Sequence, residues 1–160
     1  MASQEMAADF TEVLKSLNEM GLRRNSERIT KKILRTLGQR GQTQAKKSYR
    51  GKVGKRTGEL YKSIKYGVNR KGTFGYIGPR GAKQFMKAAV LEKGWTISAK
   101  GGGFLRFKIG DKWITKKQVE IKPRDWFFKA VDGWFNSPES RLVLESTLQK
   151  EIQKIWEKQK

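Results

Sequence analysis

The sequence contains no cysteine and no histidine. The first absence excludes disulfides, thiol nucleophiles and thiolate zinc sites; the second excludes imidazole bases, His-based triads and histidine metal motifs. No run approaches the ~20 consecutive apolar residues of a membrane-spanning helix. The opening MASQEMAADF has neither the basic nor the apolar region of a secretory signal. Together these absences predict a soluble protein made in a cytoplasm. Acidic residues are also scarce, fifteen Asp and Glu against thirty-six Lys and Arg, which leaves a net charge of +21.

The excess charge is unevenly spread. Residues 1–22 hold four acidic residues and one basic, net −3, whereas residues 23–65 hold fifteen basic and two acidic, net +13. Such a field draws polyanions, whether DNA, RNA or an acidic protein surface. The five Trp, eight Phe and four Tyr are ample for a packed interior, and 160 residues suffice for one domain.

Phe10, Val13, Leu14 and Leu17 recur at i, i+3, i+4 and i+7, which predicts an amphipathic helix over 5–20. A second helix is expected over about 26–48, with Ile29, Ile33 and Leu37 on its apolar face. Arg24, Arg28, Lys31, Arg35 and Lys46 fall within about 60° of one another on the opposite face. Acidic partners at i±4 are almost absent there, and Gly38 and Gly41 mark a bend or a close contact. GKVGKRTG (51–58) reads as a basic connector. It is not a Walker loop, because Arg56 follows Gly54-Lys55 where Ser or Thr is needed and a helix precedes it.

Thr57 is expected to cap a turn over Gly58–Ile64, stabilised by the apolar pair Leu60/Ile64. Strands follow at about 65–69 and 73–78, then a helix over 83–93 ending at Gly94. The segment 97–103 reads as a mobile hairpin tip, and FLRFKI (104–109) alternates, with Leu105, Phe107 and Ile109 on one face. Pro123 is expected to open a short helix through Phe135, and Ser137 to cap a C-terminal helix over 138–158. That last helix is expected to bury Leu144, Leu148, Ile152, Ile155 and Trp156. With no repeat and no long linker, residues 1–160 read as one α+β domain: N-terminal helices, a small antiparallel sheet and a C-terminal amphipathic helix.

Three stretches occur in an order that resembles the tail-completion, or neck, proteins of long-tailed bacteriophages, a virion-morphogenesis group that includes lambdoid tail protein Z-like proteins. TGELYKSI (57–64) is similar to the group's Thr-Gly-x-Leu-x-x-Ser-Ile, carried by Thr57, Gly58, Leu60, Ser63 and Ile64. AAVLEKGW (88–95) is similar to its Ala-x-x-(Val/Leu)-Glu-x-Gly, carried by Glu92 and Gly94. DKWITKKQVEIKPRDWFFKAV (111–131) is similar to a Trp-(Val/Ile) strand leading to Pro-x-Arg-x-x-Phe, carried by Pro123 and Arg124. Such proteins commonly read Pro-x-Arg-Pro-Phe, whereas here Asp125, Trp126 and Phe127 follow Arg124. The resemblance covers roughly 10–158. It implies a non-enzymatic subunit of a ring, a hexamer, at the head–tail junction of the virion. Genome DNA would pass through the lumen, and connector, neck and tail proteins would be the neighbours; no cofactor and no membrane are implied.

The candidate contacts to DNA or to an acidic neighbour are Arg24, Arg28, Lys31, Arg35, Lys46, Lys47, Arg50, Lys52, Lys55 and Arg56. Trp126, Phe127, Trp134 and Phe135, with Phe128, are too many aromatics for one short helix to bury, so some are candidates for a subunit contact. Trp95, Phe104, Phe107 and Trp113 read as sheet and core residues in preference to a base-stacking platform beside Arg106 and Lys108. Glu92, Asp111, Asp125 and Asp132 form no metal-spaced cluster, and no base accompanies Ser63. The competing reading is a strongly basic nucleic-acid-binding protein, a packaging or ribosome-associated factor, although no RNP-like or zinc motif supports it.

Overall fold

The computed structural model describes residues 23–54 and 58–157, with side chains from Ser26 onward. The expected helix over 5–20 and the cap at Thr57 lie outside the described residues.

Helix α1 (Arg23–Lys52) is longer than expected at both ends. Nothing in its sequence stops it, since it contains no proline. Gly38 and Gly41 do not break it; they are places of close approach. A Cβ on Gly38 would lie 3.0 Å from the Tyr66 ring, and one on Gly41 would run into Ile77 and lie 3.5 Å from Phe135. Two clusters form along this helix. Near its start, Ile29, Ile33 and Leu37 pack with Ile155, Leu144 and Leu148. Towards its end, Ala45 and Tyr49 pack with Leu60, Ile64, Ala88 and Trp126.

After Gly58, whose φ of 73° suits glycine, comes the single turn α2 (Glu59–Ser63). Ile64 is not its last residue but the first of β1 (Ile64–Val68), and Leu60 and Ile64 are both buried in the second cluster. Strand β1 pairs antiparallel with β2 (Gly75–Pro79), and Gly67 opposes Tyr76, leaving room for that ring. The turn between them is closed by Asn69, whose Oδ1 accepts the N–H groups of Thr73 and Phe74. Helix α3 (Ala82–Lys93) follows as expected.

The next four strands depart from a single small sheet. Strand β3 (Trp95–Ser98) pairs with β6 (Gln118–Ile121), and β4 (Leu105–Ile109) pairs with β5 (Lys112–Lys116). With β1–β2, the described residues hold three two-stranded antiparallel ribbons. The β3–β6 and β4–β5 ribbons follow one another along the chain as one arm, the second nested inside the first. The glycine-rich segment is therefore not the tip: Ile97 and Ser98 are paired strand residues, and 99–104 lies between the two ribbons, where the Ala99 N–H donates to Lys117 O. The inner hairpin turns at Gly110–Asp111, with Gly110 at φ 59°.

Residues 122–127 are not helical, so Pro123 opens no helix; α4 spans only Phe128–Phe135. Helix α5 (Pro138–Glu157) begins as expected, the Ser140 N–H donating to Ser137 Oγ at 3.3 Å. It buries Ile155 and half-buries Leu144, Leu148 and Ile152, but Trp156 projects outward, 70% exposed.

Helices α1 and α5 are also tied by charge. The carboxylate of Glu151 accepts from Lys154 at 2.9 Å and lies 3.6 Å from the Arg28 guanidinium. The Lys154 hydrogen bond, above all, holds Glu151 below the usual glutamate range, against the opposing effect of burial. A carboxylate with a depressed folded value stabilises the protein above its unfolded value and loses that stabilisation as pH falls through the folded one. Glu151→Gln should therefore cost no more than about 1 kcal/mol at neutral pH and flatten the loss of stability below about pH 4. Urea titrations at pH 7 and pH 3 measure this.

Candidate functional site

The resemblance motifs meet around one buried carboxylate. Helix α3 ends at Glu92 and Lys93, and Glu92 is 7% exposed. Its Oε2 accepts the N–H groups of Trp126 and Phe127 at 2.8 Å each, and its Oε1 accepts that of Phe128 at 3.0 Å. Those donors are the unsatisfied N–H groups at and before the start of α4, where a negative charge is most favourable. Here lies the reason that 122–127 stay non-helical: a carboxylate distant in sequence takes up N–H groups at the end of that stretch. Glu92 thus acts as a capping residue for the start of α4.

Its neighbours fix the same joint. Gly94 has φ 75° and ψ 165°, and a Cβ there would lie 2.7 Å from Ile121 O and 2.9 Å from the Pro123 nitrogen. The Arg124 N–H donates to Leu91 O at 3.0 Å, and its guanidinium donates to the carbonyls of Lys52 and Val53 at 3.0 and 3.4 Å. Arg124 therefore satisfies carbonyls at the C-terminus of α1. Lys52 answers by donating to Asp125 O at 2.7 Å, where Asp125 holds a left-handed φ of 44°. Arg124→Ala should leave those carbonyls to water and cost about 0.5–1.5 kcal/mol, read as a shift in the urea midpoint.

Trp126 is completely buried and meets the Tyr49 ring edge-on at 5.0 Å. Burial pushes the Tyr49 phenol above its ordinary value, with the Arg124 charge opposing in part. Trp134 is also buried, and Phe127 and Phe135 are half-buried. Four aromatics offered for a subunit contact thus line or close the core, and the outward one is Phe128, 64% exposed.

The basic row on α1 is only partly an open face. Arg28 is engaged with Glu151, and Lys31 is half-buried, its stem lying where a side chain on Gly72 would go. Lys46 and Arg50 both lie over the Tyr61 ring, 5.2 and 4.8 Å from its centroid. Lys52 is held by Asp125, as above. Arg35 and Lys47 are exposed, and with them stand Lys32 and Arg40, which the expected row omitted. Their exposure follows from a buried face that drifts around the long helix between its two clusters. The side chain of Arg24, and Lys55 and Arg56, lie outside the described residues.

The β-arm adds a second basic surface. Trp95, Phe104 and Trp113, expected in the sheet and core, are 63, 64 and 61% exposed. They are strand or loop residues without a covering layer, because the arm is two strands wide. Arg106 lies 4.8 Å from the Trp113 ring centroid and Lys117 5.9 Å from that of Phe104. Such cation–aromatic pairs suit the stacking of bases or contact with an anionic surface. Among the described residues, no group of three His, Cys, Asp or Glu could hold a metal ion, and no helix is long and apolar enough to cross a membrane.

No family model, curated protein or solved structure matches the chain. The functional reading therefore rests on the residues and their geometry.

Proposed function

We propose that the chain is a non-enzymatic structural subunit of the head–tail junction of a long-tailed bacteriophage, a neck or tail-completion protein. In this reading it forms a ring, hexameric by resemblance, that joins tail to head around the DNA channel, with connector, neck and tail proteins as neighbours. The observation that carries the reading is the convergence at Glu92. Glu92 and Gly94 from one motif engage 121–128 from another. Arg124 ties both to the end of α1, just ahead of the motif that begins at Thr57. Motif residues with structural roles, exposed basic surfaces and a carboxylate spent on capping fit an assembly part better than a catalyst.

The second reading, a nucleic-acid-binding protein, is favoured by the paired cations and aromatics of the β-arm. Light scattering of the purified protein with and without duplex DNA separates the two. The neck reading predicts weak, sequence-independent DNA association that fades steeply with salt, because it rests on exposed charges. A small species that holds DNA tightly would favour the second. Reversing Arg35 and Lys47 to Glu should weaken that association about tenfold or more at low salt, while the urea midpoint stays within about 0.5 kcal/mol of the parent.

A further inference from the structure

A groove of about 540 Å³ opens between β2, α3 and the start of α4, walled by Tyr76, Ile77, Pro79, Phe85, Ala88 and Phe128. Phe85, Phe128 and Tyr76 are 60, 64 and 45% exposed, so its walls present apolar surface to water. Glu92 also borders it, but that carboxylate is occupied by three backbone N–H groups. The border is cationic. Lys93 lines the groove, Lys129 flanks Phe128 in the adjoining hollow, where Asp125 is the one opposing charge among the described residues not already held, and Arg80 donates to the Tyr76 hydroxyl at 2.7 Å. A nucleic acid would meet the rim but leave the apolar walls uncovered.

The same chain carries a segment with the complementary chemistry. Residues 5–20 bear Glu5, Asp9, Glu12 and Glu19 against one Lys15, and space Phe10, Val13, Leu14 and Leu17 as one helical stripe. Stripes of i, i+3, i+4 and i+7 anchors are what apolar grooves accept from a helix. We propose that residues 5–20 of one copy dock in this groove of a second copy, apolar stripe inward and carboxylates toward Arg80, Lys93 and Lys129.

The occupant is assigned to a second copy because the proposed ring needs a contact between subunits. A tail-into-groove contact is heterologous, and repeated copies close into a ring or run on as a filament. The inference deepens the proposed ring by naming its subunit contact and rests on that reading for the assignment to a second copy; the contact itself is testable on the purified protein.

The absence of native cysteine makes the test clean. Tagged Leu14→Cys protein is mixed with untagged Phe85→Cys protein, or with Ser146→Cys protein as a control on the exposed face of α5, and oxidised mildly. The expected result is a tagged–untagged disulfide dimer at least about tenfold more abundant with Phe85→Cys than with Ser146→Cys, the ratio that ~1.4 kcal/mol of preference gives. Added salt should lower the yield, and Leu14→Asp in the full chain should weaken self-association in sedimentation by about 10–100-fold, the worth of one buried Leu. Equal yields for the two partners overturn the proposal. A Leu14→Cys/Phe85→Cys double variant that closes within a single chain at high dilution overturns the assignment to a second copy. Neither outcome bears on whether the protein resides in a virion, which is tested separately on particles.

Discussion

Glu92→Ala should lower stability by about 3–5 kcal/mol, a large part of what a domain of this size has. The substitution leaves the N–H groups of Trp126, Phe127 and Phe128 without their acceptor, two of them at 2.8 Å from one oxygen. A hydrogen bond to a charged group contributes about 1.5–3 kcal/mol, and bonds sharing one carboxylate do not add fully. Glu92→Gln should fall between the two, because its amide keeps one acceptor oxygen and turns a donor toward donors. The loss should appear as a lower urea midpoint with an unchanged slope, since the unfolded chain is unaltered. Glu145→Ala, an exposed carboxylate on α5, is the control and should stay within about 0.5 kcal/mol of the parent. A Glu92→Ala protein as stable as that control would remove the joint from the account.

Gly94→Ala should cost at least about 3 kcal/mol, from two causes that act together. At φ 75° and ψ 165° the backbone occupies a region open in practice to glycine alone. The added Cβ would also stand 2.7 Å from the Ile121 carbonyl and 2.9 Å from Pro123, and both neighbours are backbone or ring atoms that cannot swing away. Gly101→Ala is the milder reference, left-handed without either the contact or the glycine-only ψ. Gly101 has φ 62° and nothing lies within 4 Å of the place its new methyl would take, so only the conformational cost of about 1–2 kcal/mol remains. Equal losses at the two positions would mean that the contact with Ile121 and Pro123 is not tight.

Much of the helical part of this fold is readable from periodicity. The core positions Ile29 and Ile33, the stop of α3 at Lys93-Gly94 and the Ser137 cap all follow from local rules that the chain obeys. What escaped depends on partners distant in sequence. Pro123 looks like a helix opener until Glu92 claims the N–H groups of 126–128. The glycine-rich 99–104 looks like a tip until β3 is paired with β6 around an inner hairpin. Arg28 looks like an unpaired cation until α5 brings Glu151 beside it, and Trp156 looks like a core residue until the helix turns it outward. The capping joint itself was half legible: its residues stood out as motifs, but their hydrogen bonds did not.

The same distinction applies to function. Charge asymmetry and the motif order are the grounds of the proposed assembly role, while the geometry shows which basic residues are exposed. The measurement that tests the central proposal most directly is imaging of the particles produced from the source genome, with and without this gene. The account predicts a ring of the protein at the head–tail junction of complete particles, and, without the gene, filled heads and finished tails that fail to join. Normally joined particles without the gene, or complete particles that lack the protein, would contradict it.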